Sequence, residues 1–222
     1  MNSFTKVVLV IGRRTASTSS VEMLGTGFLI SSDGKIATTK HVINGDDSNI
    51  VVLLPGINDI NSYQDTSYLK CLTIPVDIVE IDPFKDIAIL KIRNKYDLGS
   101  TKLIDLGSFD NIEIGTSLII LGFPHCVENR RVLTCQYTEL GAKILMESNS
   151  IKSKYGVINT QTRPGQSGSI VYAPSRNEVV GMLIGAFAPL NYKAIDLGGI
   201  NPRELHQTTH CLSAEYIKEM LQ

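Results

Sequence analysis

Residues 25–43 read GTGFLISSDGKIATTKHVI, and this stretch decides the fold. An apolar segment (Gly27–Ile30) runs into an Asp33-Gly34 turn and then a second short strand, the pattern of a β-hairpin. His41 follows that second strand directly. Working outward, similar segments recur at Val7–Ile11, Ile50–Leu54, Val76–Glu80, Ile87–Ile92, Leu118–Leu121, Val132–Tyr137, Ile170–Tyr172 and Val179–Ile184. Each is short, rich in Val, Ile and Leu, and bounded by Gly, Pro, Asn, Asp or Ser. With 18 glycines and 8 prolines to turn the corners, this predicts an all-β barrel or sandwich rather than alternating βα units. One helical stretch closes the sequence: Leu212, Tyr216, Ile217, Met220 and Leu221 recur at helical spacing, with Ser213 as the expected cap. The polar stretch Arg93 to Leu103 is the expected connection between two lobes, and Gly56 to Tyr68 an expected surface loop.

The balance of 43% hydrophobic to 19% charged residues supports a sizeable core, and a net charge of -1 with no basic stripe gives a nucleic-acid partner no electrostatic support. The apolar run after Met1 is too short for a membrane span and ends in Gly12-Arg13-Arg14. No membrane association is therefore expected. With no export signal read there, the cytoplasm is the expected compartment. The four cysteines (Cys71, Cys126, Cys135, Cys211) are expected as free thiols, although Cys126 and Cys135 would close a small loop under oxidising conditions. They show no metal-type pairing with His125, His206 or His210, so neither a metal nor an organic cofactor is expected.

Three segments carry chemistry. The first holds His41, which alone reads as structural or merely exposed. The second is DPFKDIAILKI, residues 82–92, where Asp86 stands at the mouth of an apolar run. A partly buried carboxylate needs a partner, but the simpler reading is a strand-end turn. Asp82 competes with it, yet precedes Pro83 and reads as a turn residue. The third is TRPGQSGSIVY, residues 162–172, where glycines flank Gln166 and Ser167. Small residues let that backbone fold tightly and gather N–H groups where the oxygen of an attacked carbonyl would sit. The plain alternative is a Gly/Ser turn.

Together the three resemble the histidine, aspartate and nucleophile blocks of trypsin-like serine proteases, in particular the bacterial HtrA and glutamyl-endopeptidase branches. Gly122-Phe123-Pro124 resembles the turn before the second barrel's strands. Residues 177–185, NEVVGMLIG, resemble the strand that lines the specificity pocket. The order His, Asp, Ser is the chymotrypsin one. The resemblance implies a two-lobed chymotrypsin-like double β-barrel with a C-terminal helix. One protease domain would span 1–222, with barrels at about 1–95 and 103–207 and the helix at about 212–222. It implies His41, Asp86 and Ser167 as catalytic triad and the N–H groups of Gly165 and Ser167 as oxyanion hole. The expected activity is a serine endopeptidase acting on proteins or peptides through an acyl-enzyme.

Departures from the family pattern refine this. Ser169-Ile170 follows the nucleophile where the HtrA branch has a glycine and a proline. Gln166 stands where secreted enzymes have an aspartate for a freed N-terminus, so activation by N-terminal cleavage is not expected. No PDZ domain of the HtrA kind is expected after Gln222. A cytoplasmic protease needs restraint, which suggests a regulatory partner or ligand-sensing domain. The rival reading is a catalytically silent protease-fold binding module. For specificity, the resemblance puts Gln161 at the base of the primary pocket, with Thr162 and the strand residues Leu183, Ile184, Gly185 and Ala186 as walls. None is charged, so an uncharged residue is expected before the cut. A slip of one residue in the alignment would bring an acid such as Asp196 within reach. Arg163 and the Asp46-Asp47 pair read as loop residues.

Overall fold

The structure, a computed structural model, describes residues 4–15, 20–43, 48–68, 70–93, 101–187 and 208–221. The link residues 94–100, as well as Asp46, Asp47, Asp196 and His206, lie outside the described residues.

Six strands form the first barrel: β1 (Val8–Arg14), β2 (Val21–Leu29), β3 (Lys35–Thr39), β4 (Ile50–Leu53), β5 (Thr73–Asp82) and β6 (Ile87–Ile92). Their order is β1-β2-β3-β6-β5-β4, all antiparallel, and β4 pairs back onto β1 to close the ring. The predicted hairpin is β2–β3. Gly34 at its turn takes φ +89°, a conformation open to glycine, and the Ile30 N–H donates to the Lys35 carbonyl at 2.9 Å. A four-residue helix, α1 (Phe4–Val7), precedes β1, so Val7 is helical rather than the start of the strand.

The second lobe holds β7 (Asp105–Leu106), β8 (Ser117–Gly122), β9 (Thr134–Ser148), β10 (Ile151–Ile158), β11 (Ile170–Ala173), β12 (Glu178–Phe187) and β13 (Thr208–Ser213). Their order is β11-β8-β9-β10-β13-β12-β7, and β12 also pairs with β11, so six of the strands close on themselves. The two-period of a strand sends alternate side chains to opposite faces. On β8, Leu118 and Ile120 enter the second lobe's own core, while Ile119 and Leu121 join a larger cluster shared with the first barrel. Both faces of the strand are therefore buried, which is why it reads as a continuous apolar run.

Three elements differ from expectation. Strand β9 runs to Ser148 and pairs with β10, which the pattern of residues 151–158 did not announce. They are joined by Asn149-Ser150, both at positive φ (48° and 64°), the geometry of a two-residue primed turn. The second barrel extends past the expected boundary at 207, because β13 closes it. The C-terminal helix α2 spans only Glu215–Glu219. Leu212 and Ser213 belong to β13, and Ala214 stands at the helix start without a side-chain cap. The Ser213 hydroxyl instead accepts from the Phe109 N–H at 3.3 Å. The stretch from Gly56 to Tyr68 carries no strand, as expected; Gln64 anchors it through paired 2.8 Å hydrogen bonds with the backbone of Leu133. Among the described residues no helix is long and apolar enough to cross a membrane.

Candidate active site

His41 stands in a short 3-10 turn, Lys40–Ile43, at the end of β3. The β3–β6 ladder pairs Thr39 with Ile87, and one step further the Lys40 N–H donates to the Asp86 carbonyl at 3.0 Å. Asp86 has φ 59°, a left-handed conformation that aspartate tolerates better than most residues. The kink turns its carboxylate onto His41. One oxygen accepts from the His41 backbone N–H at 2.9 Å, and the other lies 2.5 Å from ring Nδ1. A carboxylate only accepts, so Nδ1 carries a proton, and in the neutral tautomer this selects, Nε2 keeps its lone pair.

Asp82 does not compete for the histidine. Its carboxylate accepts from the Phe84 and Lys85 amides at 2.9 and 3.0 Å and pairs with Lys85 Nζ at 2.7 Å, forming the turn that leads into Asp86. Burial pushes the Asp82 carboxyl up, but the Lys85 ammonium and the two amides outweigh it and hold the group below its ordinary value. Tyr155 of β10 lies behind this corner. Burial, then the neighbouring Asp86 carboxylate, pushes its phenol up to about 12, so it stays neutral.

Ser167 sits on the turn before β11. The Gln166 N–H donates to the Arg163 carbonyl at 3.1 Å and closes a tight turn in which Gly165 takes φ +91°. Gly168 follows at φ +87°; a Cβ there would stand 1.9 Å from the Thr26 carbonyl oxygen, so only glycine fits. The Pro164 carbonyl accepts from the His125 N–H at 2.6 Å. Across the trans peptide the Gly165 N–H therefore points the opposite way. Among the described residues neither the Gly165 nor the Ser167 N–H donates to a carbonyl. His41, Gly165 and Ser167 line one open cleft of about 400 Å³, whose walls include Met23, Leu24, Val42 and Val127.

The Ser167 hydroxyl donates to the Ile184 carbonyl at 2.9 Å rather than to His41. That carbonyl is available because β12 and β13 shift register between Leu183 and Gly185, leaving Ile184 as a bulged residue. Ser169 is fully buried, its hydroxyl on the Gln166 carbonyl at 2.6 Å, and is no rival to Ser167.

The expected pocket residues are only partly brought to this cleft. Gln161 and Thr162 are half-buried, and Gln161 Oε1 accepts from Arg163 at 2.8 Å. Ile184 contributes its carbonyl, Gly185 faces open space, and Ala186 is exposed. Leu183 is the correction: its side chain is fully buried in the second barrel's core together with Val180, three residues earlier, because β12 shifts register against β11 between Val179 and Gly181 and breaks the alternation there. All four cysteines are free thiols, and burial pushes Cys126 up to about 12. Among the described residues no three His, Cys, Asp or Glu side chains gather to hold a metal. Sequence reasoning missed Tyr155, which carries no motif, and Thr26, which stands inside the quoted hairpin and was read only as a strand residue.

Two closed antiparallel barrels with a His–Asp pair and a serine at one cleft define the chymotrypsin-like architecture. The family model of the trypsin-like peptidase domain matches residues 25–182, and the chain belongs to that family. It is similar to the magnetosome formation protease MamE of Paramagnetospirillum magneticum, 26% identical over 176 residues, covering 78% of this chain and 21% of that protein. It is also similar to a probable periplasmic serine endoprotease, DegP-like, of Pseudomonas putida, 31% identical over 103 residues, covering 46% of this chain and 18% of the other. The chain thus spans about a fifth of the length of the curated relatives it matches. The active form of the Rv3671c protease from M. tuberculosis superposes with a TM-score of 0.67 at 19% identity, over 98% of this chain and 80% of that one, a likeness of fold.

Proposed function

We propose that the chain is a serine endopeptidase in which Ser167 is the nucleophile, His41 the general base and acid, and Asp86 the group that orients His41. Ser167 Oγ turns from the Ile184 carbonyl toward His41 Nε2, which takes its proton as Oγ attacks the scissile carbonyl. The Gly165 and Ser167 N–H groups receive the developing oxyanion. His41 then protonates the leaving amine, the C–N bond breaks, and a water activated by the same imidazole hydrolyses the acyl-enzyme. Asp86 stabilises the imidazolium through both transfers.

The observation that carries this reading is the two-point grip of Asp86 on His41, at 2.9 and 2.5 Å, beside a serine whose turn has two amides that donate to no carbonyl among the described residues. The test is a fluorophosphonate probe with casein hydrolysis alongside. Labelling that disappears in Ser167→Ala supports the enzyme; a folded wild type that neither labels nor cleaves overturns it. The second reading, a silent binding module, draws on the resting Ser167–Ile184 contact, and the same probe decides between them.

For the primary pocket the proposal is an uncharged residue before the cut, supported by the absence of charge on Gln161, Thr162 and residues 184–186. Peptides differing only in Leu, Val, Gln, Arg or Glu at that position test it, and a clear preference for Arg or Glu refutes it. Control by a regulatory partner or ligand-sensing domain belongs to the same proposal, since the resting serine contact is a state such a partner would release. A cytoplasmic location is proposed from the four free thiols, although the DegP-like relatives are periplasmic by name; fractionation of cells carrying the full-length protein tests it.

A further inference from the structure

The turn that carries Ser167 is held from the other barrel by one side chain. Thr26, on β2, is completely buried. Its hydroxyl donates to the Gly165 carbonyl at 2.8 Å and accepts from the Phe123 N–H at 3.1 Å. Its backbone N–H donates to the Ser167 carbonyl at 2.9 Å, and its carbonyl accepts from the Thr38 hydroxyl at 2.7 Å. Four hydrogen bonds thus converge on one residue, and the two made by its hydroxyl join separate loops of the second barrel. Phe123 begins the turn whose His125 N–H grips the Pro164 carbonyl. Both carbonyls flanking the Gly165 residue are therefore fixed: Pro164 by His125 directly, and Gly165 by Thr26.

We infer that Thr26 is a positioning residue whose hydroxyl sets the oxyanion-binding orientation of the Gly165 N–H. This rests on the reading of Ser167 as nucleophile. The Gly165 N–H lies on the Pro164–Gly165 peptide, which His125 holds from the turn that the Thr26 hydroxyl anchors at Phe123. The anchored Gly165 and Ser167 carbonyls restrict rotation of the peptide between them, which bears the Ser167 N–H. Thr26 touches no substrate. It acts on the reaction by keeping donors aimed where charge develops, which matters more in the transition state than in the bound substrate. A methyl in place of the hydroxyl leaves the Phe123 N–H buried without a partner and the Gly165 carbonyl with only the weak Cys126 thiol donor at 3.8 Å, and the turn must move to find new ones.

The test compares Thr26→Val, nearly the same shape without the hydroxyl, with Thr26→Ser, which keeps it. With casein-derived peptide substrates, T26V is expected to lower kcat about 10- to 100-fold while KM stays within about threefold; fluorophosphonate labelling of Ser167 should slow in parallel. T26S should recover to within a few-fold of wild type. T26V within twofold of wild type, a loss confined to KM, or T26S no better than T26V overturns the inference. A second readout is independent of turnover: the ¹H–¹⁵N signal of Gly165 in the full chain should move or broaden in T26V and hold its wild-type position in T26S. If wild type proves inactive, the enzymatic reading fails by the probe alone, and this signal still judges Thr26: an unmoved Gly165 signal in T26V sinks its role.

Discussion

Asp86→Asn separates geometry from chemistry at this site. Asparagine has nearly the same shape, and its carbonyl can replace only one of the two oxygens that hold His41. The His41 backbone N–H is a fixed donor, 2.9 Å from one of them. The amide oxygen must therefore face the backbone, because the reverse placement sets donor against donor. The amide NH₂ is then left against ring Nδ1, which stands 2.5 Å from the other oxygen. A donor there forces Nδ1 to accept, so the ring proton moves to Nε2. An Nε2 that already carries a proton cannot take one from Ser167. The expected loss in kcat is about 10⁴-fold, or about 5.5 kcal/mol of transition-state stabilisation. The histidine stays seated and the chain stays folded, so thermal unfolding should shift by no more than a few degrees. Steady-state peptide cleavage and the fluorophosphonate labelling rate, each against a Ser167→Ala blank, measure this. More than a tenth of wild-type turnover in D86N, or a comparable collapse in Asp82→Asn, would show that the carboxylate holding the ring has been misassigned.

Gly168→Ala should destabilise the fold by about 2–5 kcal/mol, through a side chain at positive φ and overpacking against backbone, since the new Cβ meets the Thr26 carbonyl oxygen at 1.9 Å; a urea midpoint implying less than 1 kcal/mol contradicts the packing described. Asp82→Asn should spare turnover while removing about 1 kcal/mol at neutral pH, the scale of one net hydrogen bond. Asp82's carboxyl is held below its ordinary value of 3.8 in the fold. Its contribution is thus present above that value and lost as pH falls through the folded pKa. The stability gap between wild type and D82N should close as pH falls below 3.8, and a gap that widens in acid reverses the assigned sign.

The sequence made the first barrel and the three chemical segments legible because local and global signals agree there. In residues 25–43 the turn chemistry of Asp33-Gly34, the alternation of the strands and the position of His41 point to one hairpin, and β2–β3 forms it. Strand β10 failed that test for a physical reason. Ile151-Lys152-Ser153-Lys154-Tyr155 has no apolar run, and its pairing with β9 is set by Asn149-Ser150 at positive φ, a turn without the usual glycine. Strand β13, with Thr208, Thr209 and His210, is as polar, and it is ordered by the two strands on either side of it. Ser213 looked like a helix cap because serine caps helices, but the Phe109 amide captured its hydroxyl. Leu183 was placed in the pocket by resemblance, as one of four consecutive strand residues, and the break in alternation at Val180 that turns it into the core leaves no mark in the sequence. Thr26 was in view from the start, yet its role depends on Gly165 and Phe123, far along the chain and on the other barrel.

The resting position of Ser167 bears on how such a site can be kept quiet. Its hydroxyl leaves the Ile184 carbonyl by rotation about a single side-chain bond. The hydrogen bond it gives up is worth about 0.5–1.5 kcal/mol net, roughly a tenfold bias at most. A substrate strand with an N–H for the same bulged carbonyl would offset even that. The parked serine therefore cannot by itself make the chain silent. Deeper restraint requires moving the donors, and the Gly165 donor sits in the turn of residues 163–166. Their present arrangement depends on the His125–Pro164 and Thr26–Gly165 hydrogen bonds, made by a neighbouring turn and by the opposite barrel. Releasing either loosens a turn whose Arg163 and Pro164 are exposed, whereas releasing Asp86 from His41 breaks two hydrogen bonds at once. A regulator of this fold has an inexpensive handle on the oxyanion side of the cleft and a costly one on the histidine side.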